Sequence, residues 1–328
     1  MRAPDFLHQR AETGLCEHYS AAGAVCSLST NCEHLLEAAR GSFLPVETAT
    51  SPVDFRLRFW VDDAESAQPP WPKPYVRGVG HCVFLGFDSE SSMLADLRAR
   101  RVIGRFSAGM ARDIAHWRSV IFPMLLSILA GSVGLVELHA SCVARDQEGL
   151  VLIGPSRSGK STLAMALTEL GFRLLSDDRT FCSFNEGRLL AYGLPRPLKL
   201  RRDAASWFKE FRDREPIDVQ GGENVFYCQP NQRFGRQGSP ACEPRALIFL
   251  ERQQSPGFSL STIGRNEAKS HIERDLLAET PAAIQKQEKT LKALLTLQSW
   301  RLQYEGQPQE IAEQIESLFS RGSELKIS

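Results

Sequence analysis

The sequence predicts an α/β protein: a mixed sheet with helices around it that carries a phosphate-binding loop, preceded by a β-rich α+β module. Three observations predict it. Residues 154–162 read Gly-Pro-Ser-Arg-Ser-Gly-Lys-Ser-Thr, which fits G-x-x-x-x-G-K-[ST] and stands between a short apolar run and a helical pattern. Arg245 to Glu251 is an apolar run of strand length followed by two helical patterns. Asp54 to Val61 alternates charged and apolar residues, the period of a half-buried strand. On these grounds residues 1–108 form the β-rich module and residues 109–328 the domain with the phosphate loop.

In the first part, Ala24 to Leu28 predicts a short strand, and Asn31 is placed to cap a helix over Cys32 to Ala39. Tyr75–Arg77, His81–Phe87, Ser92–Leu97 and Arg101–Phe106 are further strands. Ser66 to Pro74 is a proline-rich surface connection. Residues 110–130 predict a long helix with Ile114, Trp117, Ile121, Leu125 and Leu126 on one side. Val120 to Val136 carries no charge and approaches spanning length, but Pro123, Gly131 and Gly134 interrupt it. It reads as a buried helix running into a buried strand.

Leu135–Ala144 and Leu150–Ile153 predict a hairpin with its turn at Arg145–Gly149. The helix over Ser161 to Leu170 stops at Gly171, and Phe172–Ser176 is a strand ending in Asp177-Asp178. Leu189–Tyr192 and Leu198–Leu200 are short strands; residues 203–243 read as polar and irregular, with Gly221-Gly222 inside a mobile loop or insertion. Helices over 266–278 and 281–296, a strand Ser299–Tyr304 and a helix Pro308–Phe319 close the chain.

Composition narrows the partners. The 328 residues are 42% hydrophobic and 24% charged, as in ordinary globular proteins. Net charge is zero, so nothing draws the chain to nucleic acid or to an anionic membrane. The eight cysteines, at 16, 26, 32, 82, 142, 182, 228 and 242, contain no C-x-x-C, which argues against a zinc site and a disulfide framework. Cys142, Cys182 and Cys82 read as buried small hydrophobes. Met1 to Phe6 opens no apolar signal segment, so the expected compartment is cytoplasmic.

The phosphate loop supplies the chemistry. Gly154 and Gly159 let backbone N–H groups turn inward, Lys160 reaches outer phosphates, and the Ser161 hydroxyl can bind Mg²⁺. Pro155, Ser156, Arg157, Ser158 and Thr162 complete the run, with Arg157 standing where many such loops carry glycine. Asp177 and Asp178 end a strand beside this loop, where a carboxylate can hold Mg²⁺ or take a proton from an attacking hydroxyl. A solvated acidic turn is the plain alternative. His139, in an apolar strand, is by itself more often structural.

The stretch Leu138-His-Ala-Ser, the loop 154–162 and Gly-Phe-Arg-Leu-Leu-Ser-Asp-Asp178 resembles the HPr kinase/phosphorylase family. It is closer to the wider branch of HPr-kinase-like proteins found in bacterial peptide-modification gene clusters. The resemblance is strong over residues 135–182, about one seventh of the chain. It implies a P-loop sheet of the type in the HPr kinase C-terminal domain and in phosphoenolpyruvate carboxykinases. It also implies that residues 154–162 hold ATP phosphates, that Ser161 binds Mg²⁺, that Asp178 is the general base for a serine hydroxyl, and that His139 sits near the transferred phosphate. Asp177 is the further metal candidate.

Departures are visible. The authentic enzymes carry a metal-binding glutamate where the segment Leu190 to Pro195 has leucine, and usually a glutamate where Thr162 stands. Arg196 and Lys199, in Pro-Arg-Pro-Leu-Lys, are candidate contacts for a phosphate or an acidic substrate. Gly264-Arg-Asn266 is similar to a short signature of the authentic enzymes. The expected function is ATP- and Mg²⁺-dependent phosphorylation of a serine on a small protein or peptide, such as a modified-peptide precursor, with a homo-oligomer possible. A kinase for a small-molecule alcohol and a nucleotide-dependent binding module without transfer remain as alternatives.

Overall fold

The computed structural model describes residues 13–47, 52–62, 68–194, 196–219, 223–235, 241–272 and 280–321. Its contacts divide the chain into two compact units, Met1–Leu135 with Leu277–Gln285, and Val136–Leu276 with Lys286–Ser328.

The first unit holds β1 (Leu15–Ala21), β2 (Ala24–Thr30), β3 (Leu44–Pro45), β4 (Phe55–Asp62), β5 (Tyr75–Val79), β6 (Cys82–Gly86), β7 (Ser92–Asp96) and β8 (Arg101–Ser107). They form one sheet in the order β3-β1-β2-β4-β8-β7-β6-β5. The alternation read in β4 works as expected: Phe55, Leu57 and Phe59 are buried while Arg56 is exposed. Asn31 does not cap the helix Glu33–Arg40, whose N-cap is Cys32. Its amide instead brackets Val61, accepting from the Val61 N–H at 2.8 Å and donating to the Val61 carbonyl at 2.9 Å. A strand neighbour competed for that side chain and won.

The long helix observed is Ile114–Val133. A separate turn, Ala108–Arg112, precedes it, because Asp113 leaves helical geometry and accepts from the His116 N–H at 2.9 Å. The Trp117 ring packs 4.6 Å from Phe106 and 5.6 Å from Phe59. Those contacts put this helix in the first unit, so the division falls at 135/136 where the sequence suggested 108/109. Among the described residues it is the one helix long and apolar enough to cross a membrane, and half of that window is buried. Phe122, Leu125, Leu126 and Leu129 are core residues. The helix runs past the expected end at 130 to Val133 and stops with Gly134 in left-handed geometry and the Leu135 N–H returning to the Ala130 carbonyl at 2.9 Å.

The second unit is a mixed sheet of nine strands: β9 (Val136–Leu138), β10 (Ala140–Arg145), β11 (Glu148–Ile153), β12 (Arg173–Ser176), β13 (Thr180–Asn185), β14 (Arg188–Tyr192), β18 (Ala241–Arg252), β19 (Gly257–Thr262) and β20 (Gln298–Glu305). At its centre β11, β18 and β20 run parallel. The side chains of β11 and β18 alternate between two cores, while β20 adds Leu302 and Tyr304 to one of them. Leu150, Leu152, Ile248 and Leu250 face the phosphate-loop helix Lys160–Glu169 and the closing helix Pro308–Arg321. Val151, Ile153, Leu247 and Phe249 face Ala268 and Ile272 of one helix and Leu291 and Leu294 of another.

Three expectations change here. The strand expected over Leu135–Ala144 breaks at His139: β9 pairs with β13, while β10 pairs with β11 and β12. Part of 203–243 is ordered, since β15 (Leu198–Arg201), β17 (Glu223–Cys228) and β16 (Ile217–Val219) make a small antiparallel sheet. Gly221-Gly222 lies outside the described residues. Cys142 and Cys182 are fully buried, but Cys82 is only partly so. All eight cysteines are free.

Candidate functional site

The loop 154–159 leaves the end of β11 and delivers the N-terminus of the Lys160–Glu169 helix. That helix is buried on nearly every side, from Lys160 through Thr162, Leu163 and Met165 to Thr168. It is therefore fixed by packing rather than by an amphipathic stripe. Gly159, its N-cap, has φ 93, and a Cβ there would fall on the Tyr304 hydroxyl. Only glycine satisfies both demands. That hydroxyl, at the end of β20, donates to the Ser158 carbonyl at 2.7 Å and backs the loop.

Lys160 Nζ donates to the carbonyls of Gly154 at 2.8 Å and Pro155 at 3.0 Å. Burial holds its pKa below the ordinary lysine value, against the opposing pull of Asp178 and Asp177. A polyanion beside it would offset that cost by favouring the charged amine. The Ser158 hydroxyl is buried with no hydrogen-bond partner. Arg157 sits at φ 68, a strained conformation for a side chain larger than glycine, and lines the cleft with Ser156.

The two aspartates part company. Asp177 Oδ1 accepts from Ser161 Oγ at 2.7 Å and Ser141 Oγ at 3.0 Å, and Oδ2 accepts from the Lys199 N–H at 3.1 Å. Burial raises its pKa, and these three bonds oppose the rise. Asp178 is exposed, in left-handed geometry at φ 74, and its Oδ1 lies 3.1 Å from His139 Nδ1. The break between β9 and β10 that exposes His139 is thus also what aims it at Asp178. Gly193 lets the end of β14 press on the backbone just ahead of these aspartates, because a Cβ there would fall on the Leu175 carbonyl.

The loop, the aspartates and His139 meet at one cleft of about 830 Å³. His139, Lys160, Ser161, Thr162, Asp177 and Asp178 line it, with Arg196 and Lys199 on the wall. Arg196 is half-buried, and burial, with Arg179 near by, lowers its pKa. Lys199 Nζ pairs with Glu223 at 3.1 Å. The other carboxylates on the wall each face a basic group: Asp203 faces Arg201, Glu223 faces Lys199 and Arg201, and Glu305 faces Arg252. Leu190, in the segment where the resemblance implies a metal-binding glutamate, is a β14 residue paired with Ser183 and does not line the cleft. Gly264-Arg-Asn266 does not line it either; Arg265 bonds the Leu295 carbonyl at 3.1 Å.

Sequence reasoning missed Ser141, Tyr304 and the aromatic wall of Trp207 and Tyr227, both exposed. Ser141 had a signal, its place two residues after His139. Tyr304 had none, because only the strand order β11-β18-β20 brings it to the loop.

The donor set fits a magnesium nucleotide. Mg²⁺ takes oxygen ligands, usually one or two carboxylates plus phosphates, and Ser161 Oγ and Asp177 are the adjoining oxygens.

No model of a known protein family matches the chain, and no curated protein matches it by sequence. Among solved structures, the chain is similar to the HPr(Ser) kinase/phosphatase from Coxiella burnetii, with 15% identity over 57% of this chain and 95% of that one and a TM-score of 0.29. At that score the likeness decides nothing about the site.

Proposed function

We propose that this chain is an ATP-dependent kinase that transfers the γ-phosphoryl group to a hydroxyl. The observation that carries the reading is the division of labour between adjacent carboxylates. Asp177 is tied to the loop serine Ser161, and Asp178 stands free of it against His139. A module that only bound nucleotide would have use for the first carboxylate and none for the second.

In this reading the loop amides and Lys160 hold the phosphates, and Ser161 and Asp177 would hold Mg²⁺, which supplies charge neutralisation. Asp178 accepts the proton of the attacking hydroxyl as oxygen bonds to the γ-phosphorus and the bond to the β-phosphate oxygen breaks. His139 orients Asp178. Arg196, half-buried on the wall, faces the incoming group. We further propose a serine of a small protein or peptide as acceptor, with a modified-peptide precursor as the first choice. The open cleft with Trp207 and Tyr227 on its wall suits a side chain presented on an extended segment. A cytoplasmic location and self-association belong to the same proposal.

Leucine at 190 favours a second reading, a nucleotide-dependent binding module. Labelled ATP with Mg²⁺ and a panel of peptide and alcohol acceptors separates the two. Asp178→Asn should lower turnover by about 10²–10⁴-fold with nucleotide affinity kept. Tight binding without transfer to any acceptor, in the unaltered chain, would remove the kinase reading.

A further inference from the structure

The first unit carries a cluster that the spacing of the cysteines hides. Val79 pairs with Cys82, so Gly80 and His81 form the two-residue turn between β5 and β6. In the next pairing Cys82 stands directly opposite Asp96. Residues directly opposite in an antiparallel pair present their side chains on the same face. His81 Nε2 lies 3.7 Å from Asp96 Oδ1, and the donor atoms of His81, Cys82 and Asp96 all lie within 4.8 Å of one another. All three residues are half-buried.

The backbone holds this arrangement. The His81 carbonyl accepts from the Leu97 N–H at 2.8 Å, which ties the turn to the end of β7. Asp96 Oδ1 accepts from the Ala99 N–H at 2.8 Å, which fixes the carboxylate. Donor atoms around a tetrahedral ion with bonds of about 2.0–2.3 Å stand between about 3 and 4 Å apart. The three donor atoms lie within 4.8 Å, so side-chain rotation has to close the remaining gap.

We propose that His81, Cys82 and Asp96 form a zinc site. One sulfur, one nitrogen and one oxygen suit a borderline-soft ion and disfavour Mg²⁺ or Ca²⁺, which take oxygen. Three protein ligands leave a fourth position for water or an exchangeable ligand. Binding takes one proton from the Cys82 thiol, so affinity falls as pH falls. The site shares no residue with the phosphate cleft, and its test does not depend on kinase activity.

Co²⁺ reports the site, because a thiolate ligand gives a charge-transfer band that oxygen ligands do not. The full-length, untagged, reduced chain is titrated with Co²⁺ without nucleotide, then back-titrated with Zn²⁺. One equivalent should produce the band and Zn²⁺ should erase it. Cys82→Ser should abolish the band, His81→Ala and Asp96→Asn should each weaken Co²⁺ binding at least ten-fold, and Cys16→Ser should leave it unchanged. Thermal unfolding of each variant checks that the fold is kept. A band that never forms in the unaltered chain, that survives Cys82→Ser, or that ignores both His81→Ala and Asp96→Asn overturns the proposal. So does a plain His81–Asp96 ion pair seen as a pH-dependent chemical shift with no metal effect.

Discussion

Asp177 carries a carboxylate into a place where burial raises its pKa above the ordinary 3.8. A raised acid penalises the folded state only when ionised. The penalty is absent below 3.8, grows as pH climbs through the raised value, and is complete above it. Asp177→Asn should therefore stabilise the nucleotide-free chain by on the order of 1 kcal/mol at neutral pH. The gain should vanish in urea titrations below that window, and Mg²⁺-dependent nucleotide binding should be lost at every pH. Arg157 gives a second test at this scale. Arg157→Gly and Arg157→Ala both delete the guanidinium, but only alanine keeps the strain at φ 68. The glycine variant should be the more stable by about 1 kcal/mol, read as a shift in urea midpoint, with ATP affinity lowered equally in both. The placement of the candidate residues was largely legible. Lys160, Ser161, Asp177, Asp178 and His139 stood at motif positions, and the structure brings them to one cleft. What could not be read was the partition between the aspartates. It depends on Ser141 and on the Lys199 amide, contacts made across strands.

Elements with strong local patterns were readable for a plain reason: one face meets a core and the other meets water. β4 and the Pro308–Arg321 helix are of this kind. β13 and β19 were missed, and their positions explain it. β13 has apolar Phe181 and Cys182 beside polar Thr180 and Ser183, all buried, so no alternation shows. β19 is exposed at nearly every residue, so no apolar face marks it. The break at His139 was hidden because β9 and β10 are separated by that one residue and read as one run, yet they pair with different neighbours. The element that most governs the loop is β20. Tyr304→Phe removes the bond to the Ser158 carbonyl. Stability should fall by about 1 kcal/mol, measured by urea unfolding. Nucleotide affinity should fall with it in calorimetry, since the loop loses its backing.

For the whole molecule, the division into two units makes a prediction by location. Hydrogen exchange with and without Mg²⁺ and ATP should show new protection at the start of the Lys160–Glu169 helix, at the end of β12 and along β15. Strands β1 to β8 should be unchanged. Protection spread evenly through both units would contradict a nucleotide site built within the second unit alone. The fold class was legible from the loop and its flanking elements, but the boundary was not. Trp117 joins the first unit through Phe106 and through Phe59, the latter far from it in sequence. The pairing of β20 with β18, and the hydroxyl that Tyr304 lends to Ser158, also bear on the gene. A stop codon just before position 298 would leave every residue of the phosphate motif translated. The product would still lack the strand that supports the loop. A late frameshift would therefore silence this protein as surely as a substitution at Lys160, while a search for the motif in its reading frame would score the gene as intact.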